Sequence, residues 1–229
     1  MKYSLILWDA DDTLLDFHAA EDYSFKKTMK EEGLPFDEDS INLYDEINQK
    51  MWEQFNLGKV SKDTLIVERF NKYFEIKGIK ADAEKINKLY LENLSDCSVL
   101  VDGALDIVKK LDQLGLEQYI VTNGISNVAH KRIGNSDIKP YIKKIFVSED
   151  VGYAKPDINY FNYVFSNIKN FNKDKAIIIG DSCSSDIKGG MNAGIATCFY
   201  NPKGNSYSDE YKVSYEIRKL QELIEILQK

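Results

Sequence analysis

The stretch Leu5-Ile6-Leu7-Trp8-Asp9-Ala10-Asp11-Asp12-Thr13-Leu14 decides the fold. Four consecutive apolar residues, with no polar alternation, fit a strand covered on both faces, as in a parallel sheet. The run stops abruptly at carboxylates, and similar transitions recur. Tyr119 to Val121 ends at Thr122-Asn123-Gly124, and Ile145 to Val147 ends at Ser148-Glu149-Asp150. Ala176 to Ile179 ends at Gly180-Asp181, and Ala196 to Tyr200 ends at Asn201-Pro202. Every run but the last is followed by a helical pattern. Leu105, Val108, Leu111 and Leu114 recur at helical spacing, with Gly115 placed to end that helix. Phe161, Val164 and Ile168 mark another helix, and Ile217, Leu220, Leu223 and Leu227 predict a closing one. This rhythm predicts an α/β fold, a Rossmann-like parallel sheet flanked by helices.

One segment breaks the rhythm. Residues 17–96 contain no strand pattern and read as four helices separated by Gly33, Gly58 and Gly78. Ile41, Tyr44, Ile47, Met51 and Phe55 share one helical face, as do Ile66, Phe70, Tyr73 and Phe74, while Ser61 and Asp82 are placed to cap helix starts. The expected organisation is an α/β core of residues 1–16 and 97–229, with 17–96 inserted as a helical-bundle cap. The cap's aromatics, among them Phe25, Trp52, Phe55, Phe70, Tyr73 and Tyr90, are expected to form its core.

Composition excludes several classes. The 229 residues carry 30 Lys+Arg against 37 Asp+Glu, a formal charge of −7, which argues against binding a nucleic-acid polymer. Three cysteines without CxxC spacing and two histidines argue against a disulfide scaffold or a Cys/His metal site and fit a cytoplasmic protein. No apolar run approaches the roughly 18 residues that span a membrane, and none reads as a signal peptide. The segment 17–96 holds 12 basic and 17 acidic residues, so most of the excess lies there.

The polar residues at the strand ends carry the functional signal, because open α/β sheets bind ligands outside the carboxyl ends of their strands. These ends bring Asp9, Asp11, Asp12 and Thr13, then Thr122-Asn123-Gly124, then Lys155-Pro156, then Gly180-Asp181 with Asp186. Clustered carboxylates repel one another unless a cation joins them. An oxygen-only ligand set suits Mg²⁺, which binds through one or two carboxylates together with substrate phosphate. Lys155 and Thr122 add donors for an anion. Asp9 as nucleophile and Asp11 as acid–base group would complete phosphoryl transfer through an aspartyl-phosphate.

These residues resemble the haloacid dehalogenase superfamily of Mg²⁺-dependent phosphohydrolases. Four motifs match in order: Asp9-Ala10-Asp11-Asp12-Thr13-Leu14, Thr122-Asn123-Gly124, Ala154-Lys155-Pro156-Asp157, and Gly180-Asp181 through Asp186. The helical insert stands where that family carries a type-1 cap. The resemblance implies that Asp9 attacks phosphorus and ligates the metal. Asp11 protonates the leaving oxygen, then activates water, and lends its backbone carbonyl to the metal. Thr122, Asn123, Gly124 and Lys155 hold the phosphoryl group, and Asp181 ligates Mg²⁺ (or Mn²⁺) with Asp186 in support. The runs Ser148 to Pro156 and Gly189 to Cys198 are similar to the bacterial branch of 5′-nucleotidases that hydrolyse pyrimidine and non-standard nucleoside monophosphates. The implied partner is a small phosphorylated metabolite reached by closure of the cap, with hinges near 16–18 and 96–102.

Other readings are weaker. A sugar phosphate or phosphoglycolate is the alternative substrate class. Carbon–halogen hydrolysis needs neither metal nor Asp11. A phosphomutase would accumulate a bisphosphate intermediate. A receiver-type scaffold would be about half as long and carry its phospho-acceptor on a later strand. A calcium loop is disfavoured because Leu14 stands where an EF-hand needs glycine. Cys183 is expected to be an inert small residue, and His18 structural or solvent-exposed.

Overall fold

All four residues of Leu5–Trp8 (β1) are buried in a computed structural model of the chain, which describes residues 1–228. They alternate between two apolar layers. Ile6 and Trp8 pack on one face of a sheet, and Leu5 and Leu7 on the other. The strands Glu117–Thr122 (β2), Lys144–Val147 (β3), Ala176–Gly180 (β4), Ala196–Tyr200 (β5) and Tyr215–Ile217 (β6) complete the sheet. The order is β3-β2-β1-β4-β5-β6, and every pairing is parallel. The chain builds outward from β1 in one direction, then returns to add β4, β5 and β6 on the other side. The order therefore reverses beside β1, the place where such sheets open a crevice for ligands.

The chain divides into two compact units, Met1–Asp16 with Ser98–Lys229, and Phe17–Cys97. The first unit contains the sheet. The helices Ala104–Gln113 (α5 in chain order) and Leu223–Gln228 (α10) pack on the Ile6 and Trp8 face, through Ile107, Val108, Leu111, Leu223 and Leu227. On the other face, Ile158–Ser166 (α8) contributes Tyr160, Phe161, Val164 and Phe165, and Lys188–Ala193 (α9) contributes Ala193. Two further helices lead from strand ends, Ser126–Gly134 (α6) after β2 and the short Ser148–Val151 (α7) after β3. Gly115 takes the left-handed conformation expected after α5, with φ 79°.

The second unit holds four helices, Phe17–Glu31 (α1), Glu38–Asn56 (α2), Lys62–Lys77 (α3) and Ala83–Ser95 (α4). Ser61 accepts the Thr64 N–H at 3.2 Å, and Asp82 accepts the N–H groups of Glu84 and Lys85 at 3.0 and 3.1 Å, as N-caps do. Asp37 adds a capping box with Ser40 that spacing alone did not single out. Phe25, Tyr44, Phe70, Tyr73 and Tyr90 are buried in a web of tilted and edge-to-face ring contacts. Trp52 and Phe55 pair with each other at 5.6 Å and stay half-buried.

One element differs from the expectation. Ile217 belongs to β6 rather than to the closing helix, which begins at Leu223 after a single 3₁₀ turn at Leu220–Glu222. No helix among the described residues is long and apolar enough to cross a membrane.

Candidate active site

Asp9, Thr122 and Asp181 stand at the ends of β1, β2 and β4, where register makes them neighbours, while Lys155 comes from the loop between α7 and α8 and Asp186 from the turn Cys183–Ile187. Trp8 pairs with both Ile120 and Ile179, so Asp9, Thr122 and Asp181 all follow within two residues of one level of the sheet. The Asp9 N–H still donates to Ile179 O at 2.8 Å, which continues the β1–β4 ladder into the motif. The chain then turns tightly. Leu14 and Leu15 both donate to Ala10 O, and Asp12 adopts a left-handed conformation with φ 56°.

Lys155 is the centre of the arrangement. Its ammonium is buried and donates to Asp9 Oδ1 at 2.5 Å, Asp186 Oδ1 at 2.7 Å and Val121 O at 2.7 Å. Its backbone is clamped by Asn123, whose amide donates to Lys155 O and accepts the Lys155 N–H, each at 2.8 Å. The Lys155–Pro156 peptide is cis. The Asn123 side chain thus serves the lysine loop, so a phosphoryl group would meet this residue through its backbone. The Thr122 hydroxyl is buried and accepts the Gly124 N–H at 3.0 Å.

Three carboxylates face one lysine. Oxygens of Asp9, Asp181 and Asp186 all lie within 4.8 Å of one another. Burial pushes the Asp9 carboxyl up to about 8; Lys155 opposes the shift, and Asp186 and Asp11 add to it. Burial likewise holds Asp181 well above the usual carboxylate range, reinforced by Asp9, Asp186 and Asp12. Against the pull of burial, Asp186 and Asp9 hold the Lys155 ammonium above its ordinary value. The pocket therefore carries surplus negative charge that burial makes costly. A hard divalent cation fits such an oxygen-only set. Asp9 and Asp181 are the candidate ligands. Asp186 has both oxygens engaged, Oδ1 by Lys155 and Oδ2 by the Ser182 N–H at 3.1 Å, which suits it to a supporting position. Gly180 makes that position available, since a Cβ there would stand 2.3 Å from Asp186 Cγ.

Sequence reading missed Arg132. It lies on the buried face of α6 with Val128, Ala129 and Ile133, and its guanidinium forms an ion pair with Asp11 Oδ1. A lone cation on an apolar helix face was the available signal. Cys183 sits beside the fourth motif, and burial pushes its thiol up to about 11, away from the lowered range of activated cysteines. In the helical unit, His18 lies 3.6 Å from Asp45, with Glu21 close to both.

Residues 6–200 match the family described as haloacid dehalogenase-like hydrolase. The chain belongs to that family. YfnB of Bacillus subtilis, a HAD-hydrolase by name, is 41% identical over 99% of this chain and 96% of its own. Its structure, solved bound to magnesium, superimposes with a TM-score of 0.96 over the whole of both chains. The pyrimidine 5′-nucleotidase PynA of Streptococcus pneumoniae is 34% identical over 100% of this chain and 97% of its own. The pyrimidine 5′-nucleotidase YjjG of Escherichia coli is 25% identical over 99% of each.

Proposed function

We propose that this haloacid dehalogenase-like hydrolase is a cytoplasmic, Mg²⁺-dependent phosphomonoesterase that works through an aspartyl-phosphate, and that it is a 5′-nucleotidase preferring pyrimidine nucleoside monophosphates. One observation carries the phosphatase reading. A buried carboxylate at the end of β1, Asp9, meets a buried lysine at 2.5 Å inside a surplus of carboxylates. The substrate reading is supported by the names of PynA and YjjG, which align along essentially the whole chain. The metal reading is supported by the donor set and by the magnesium bound to YfnB.

The residues divide the work as follows. Lys155 engages Asp9 Oδ1 at 2.5 Å, whereas Oδ2 takes only a longer contact from the Thr13 hydroxyl at 3.5 Å and is the oxygen that attacks phosphorus. As the Asp9 oxygen–phosphorus bond forms, the bond from phosphorus to the leaving oxygen breaks, and Asp11 gives that oxygen a proton. Asp11 then takes a proton from water as the water oxygen attacks phosphorus. The bond to Asp9 breaks and orthophosphate is released. Thr122, Lys155 and the backbone of Asn123 and Gly124 hold the phosphoryl oxygens while charge builds on them. Mg²⁺, held by Asp9, Asp181 and the Asp11 carbonyl with Asp186 behind, would neutralise charge on the phosphoryl group.

The deciding experiment measures phosphate release from nucleoside monophosphates, sugar phosphates and phosphoglycolate, with Mg²⁺ and with chelator. Activity should require the metal and be highest on pyrimidine nucleotides. Asp9→Asn should lose at least about 10⁴-fold in turnover, as removal of a covalent nucleophile does. Asp9→Asn turning over at the rate of the unaltered protein would refute the nucleophile. A preference for sugar phosphates would redirect the substrate reading and leave the chemistry intact.

A further inference from the structure

The geometry points to Arg132 as the residue that positions the Asp11 carboxyl for proton transfer, an inference that rests on the phosphomonoesterase reading above. Arg132 is 2% exposed, and its guanidinium is paired with Asp11 Oδ1 from 121 positions away in the sequence. A buried arginine among Val128, Ala129 and Ile133 is tolerable only with a partner of opposite charge. The carboxylate it meets is the one proposed to handle the proton.

The pairing favours one of the two oxygens for that task. A guanidinium has donors and no acceptor, so it pairs best with the bare, more negative carboxyl oxygen and favours a proton on the other one. With Arg132 on Oδ1, the proton belongs on Oδ2. That oxygen looks over the Thr122-Asn123-Gly124 loop: a Cβ built on Gly124 would stand 3.6 Å from Asp11 Oδ2 and 3.2 Å from Thr122 Oγ1. The same loop runs straight into α6, the helix that carries Arg132. One strand–loop–helix unit therefore supplies both the donors proposed for the phosphoryl group and the clamp that aims the acid beside it. Arg132 acts through Asp11, so it is a positioning residue.

The test uses two substrates that differ in their need for a proton. An alkyl phosphate, such as a nucleoside monophosphate, must protonate its leaving oxygen, whereas nitrophenolate leaves without a proton. The quantity is kcat/KM, which reports transfer to Asp9. Arg132→Met should lower it on the order of 10²-fold for the alkyl phosphate and less than about fivefold for nitrophenyl phosphate, the scale of lost general-acid catalysis. Arg132→Lys keeps a cation in place, so it remains testable if the methionine variant fails to fold, and its loss should be intermediate. In an Asp11→Asn background, Arg132→Met should cost almost nothing more, because the two residues act as one unit. Equal losses on both substrates, or losses that add fully to those of Asp11→Asn, would overturn the assignment and leave the phosphatase reading standing. Phosphate release from neither substrate by the unaltered protein would overturn both.

Discussion

Two regions of this molecule bury a cation, and they treat it differently. In the helical unit, Arg69 is 1% exposed and donates to Asn48 Oδ1 at 2.9 Å, Asn87 Oδ1 at 3.0 Å and Ile66 O at 3.2 Å. It lies 4.8 Å from the centre of the Tyr90 ring, and Asn48 passes the contact on to Glu21 at 2.7 Å. Amide oxygens, a ring face and one carboxylate at second hand match a single positive charge. In the sheet unit, Lys155 meets Asp9 and Asp186 directly, and Asp181 stands within reach of both. That region is one charge or more too negative for its burial. A balanced buried network ties helices together, whereas an unbalanced one calls for a partner from outside the chain. The difference supports reading the sheet end as the proposed site and the Arg69 network as architecture.

Removing each cation should separate the two roles. Lys155→Met should cost on the order of 10²–10³ in rate, as loss of a charge-stabilising donor does. It also leaves Asp9 and Asp186 facing each other, so its melting temperature should fall in chelator and recover in part with Mg²⁺. Arg69→Met should act on stability alone. It strands the buried oxygens of Asn48 and Asn87, which should cost about 2–4 kcal/mol in denaturant unfolding. Its kcat/KM on nitrophenyl phosphate should stay within about threefold of the unaltered protein. A stable Arg69→Met protein with lost activity would erase the contrast.

The same asymmetry explains what could be read from sequence. β1 to β5 are legible because continuous apolar runs have no other economical place than between two helical layers. β6 is not. Its three residues run half-buried, exposed and buried, and Ile217 fits the spacing of the helix that follows just as well. The strand-end residues are legible because their positions along the chain imply their positions in space. Their partnerships are not: Lys155 reaches Asp9 across 146 residues, and Arg132 reaches Asp11 across 121. Composition shows an excess of acids but not which of them share a pocket. The Asn123 side chain adds a contact that its motif does not spell out, since its amide holds the backbone of Lys155.

A smaller perturbation asks how exact the acidic arrangement must be. Gly180→Ala keeps every charge, but its Cβ would fall 2.3 Å from Asp186 Cγ, so Asp186 must move. If Asp186 supports the metal site from behind, Mg²⁺ affinity should drop about 10–100-fold, the usual effect of disturbing a supporting ligand. Calorimetric titration with Mg²⁺ reads this without reference to turnover. Unchanged affinity would remove Asp186 from the metal's surroundings.

The smallest expected effect comes from Asp12, and it tests whether charge or placement matters. Asp12 lies in the left-handed region at φ 56°, where an ordinary side chain costs roughly 1–2 kcal/mol and aspartate less. Glycine would relieve that strain, yet it would add about 0.5–1 kcal/mol of chain entropy to the unfolded state. The two nearly cancel, so Asp12→Gly should shift stability by less than about 0.5 kcal/mol. The substitution also removes one negative charge that helps hold Asp181 above the usual carboxylate range. If the site depends on where its carboxylates stand, phosphate release should stay within about threefold, because Asp9, Asp181 and Asp186 keep their geometry. If it depends on the total field, activity and Mg²⁺ affinity should fall together by more than about tenfold. Asp12 would then join the working set, and the imbalance that distinguishes this end of the sheet from the Arg69 network would extend one turn further along the chain.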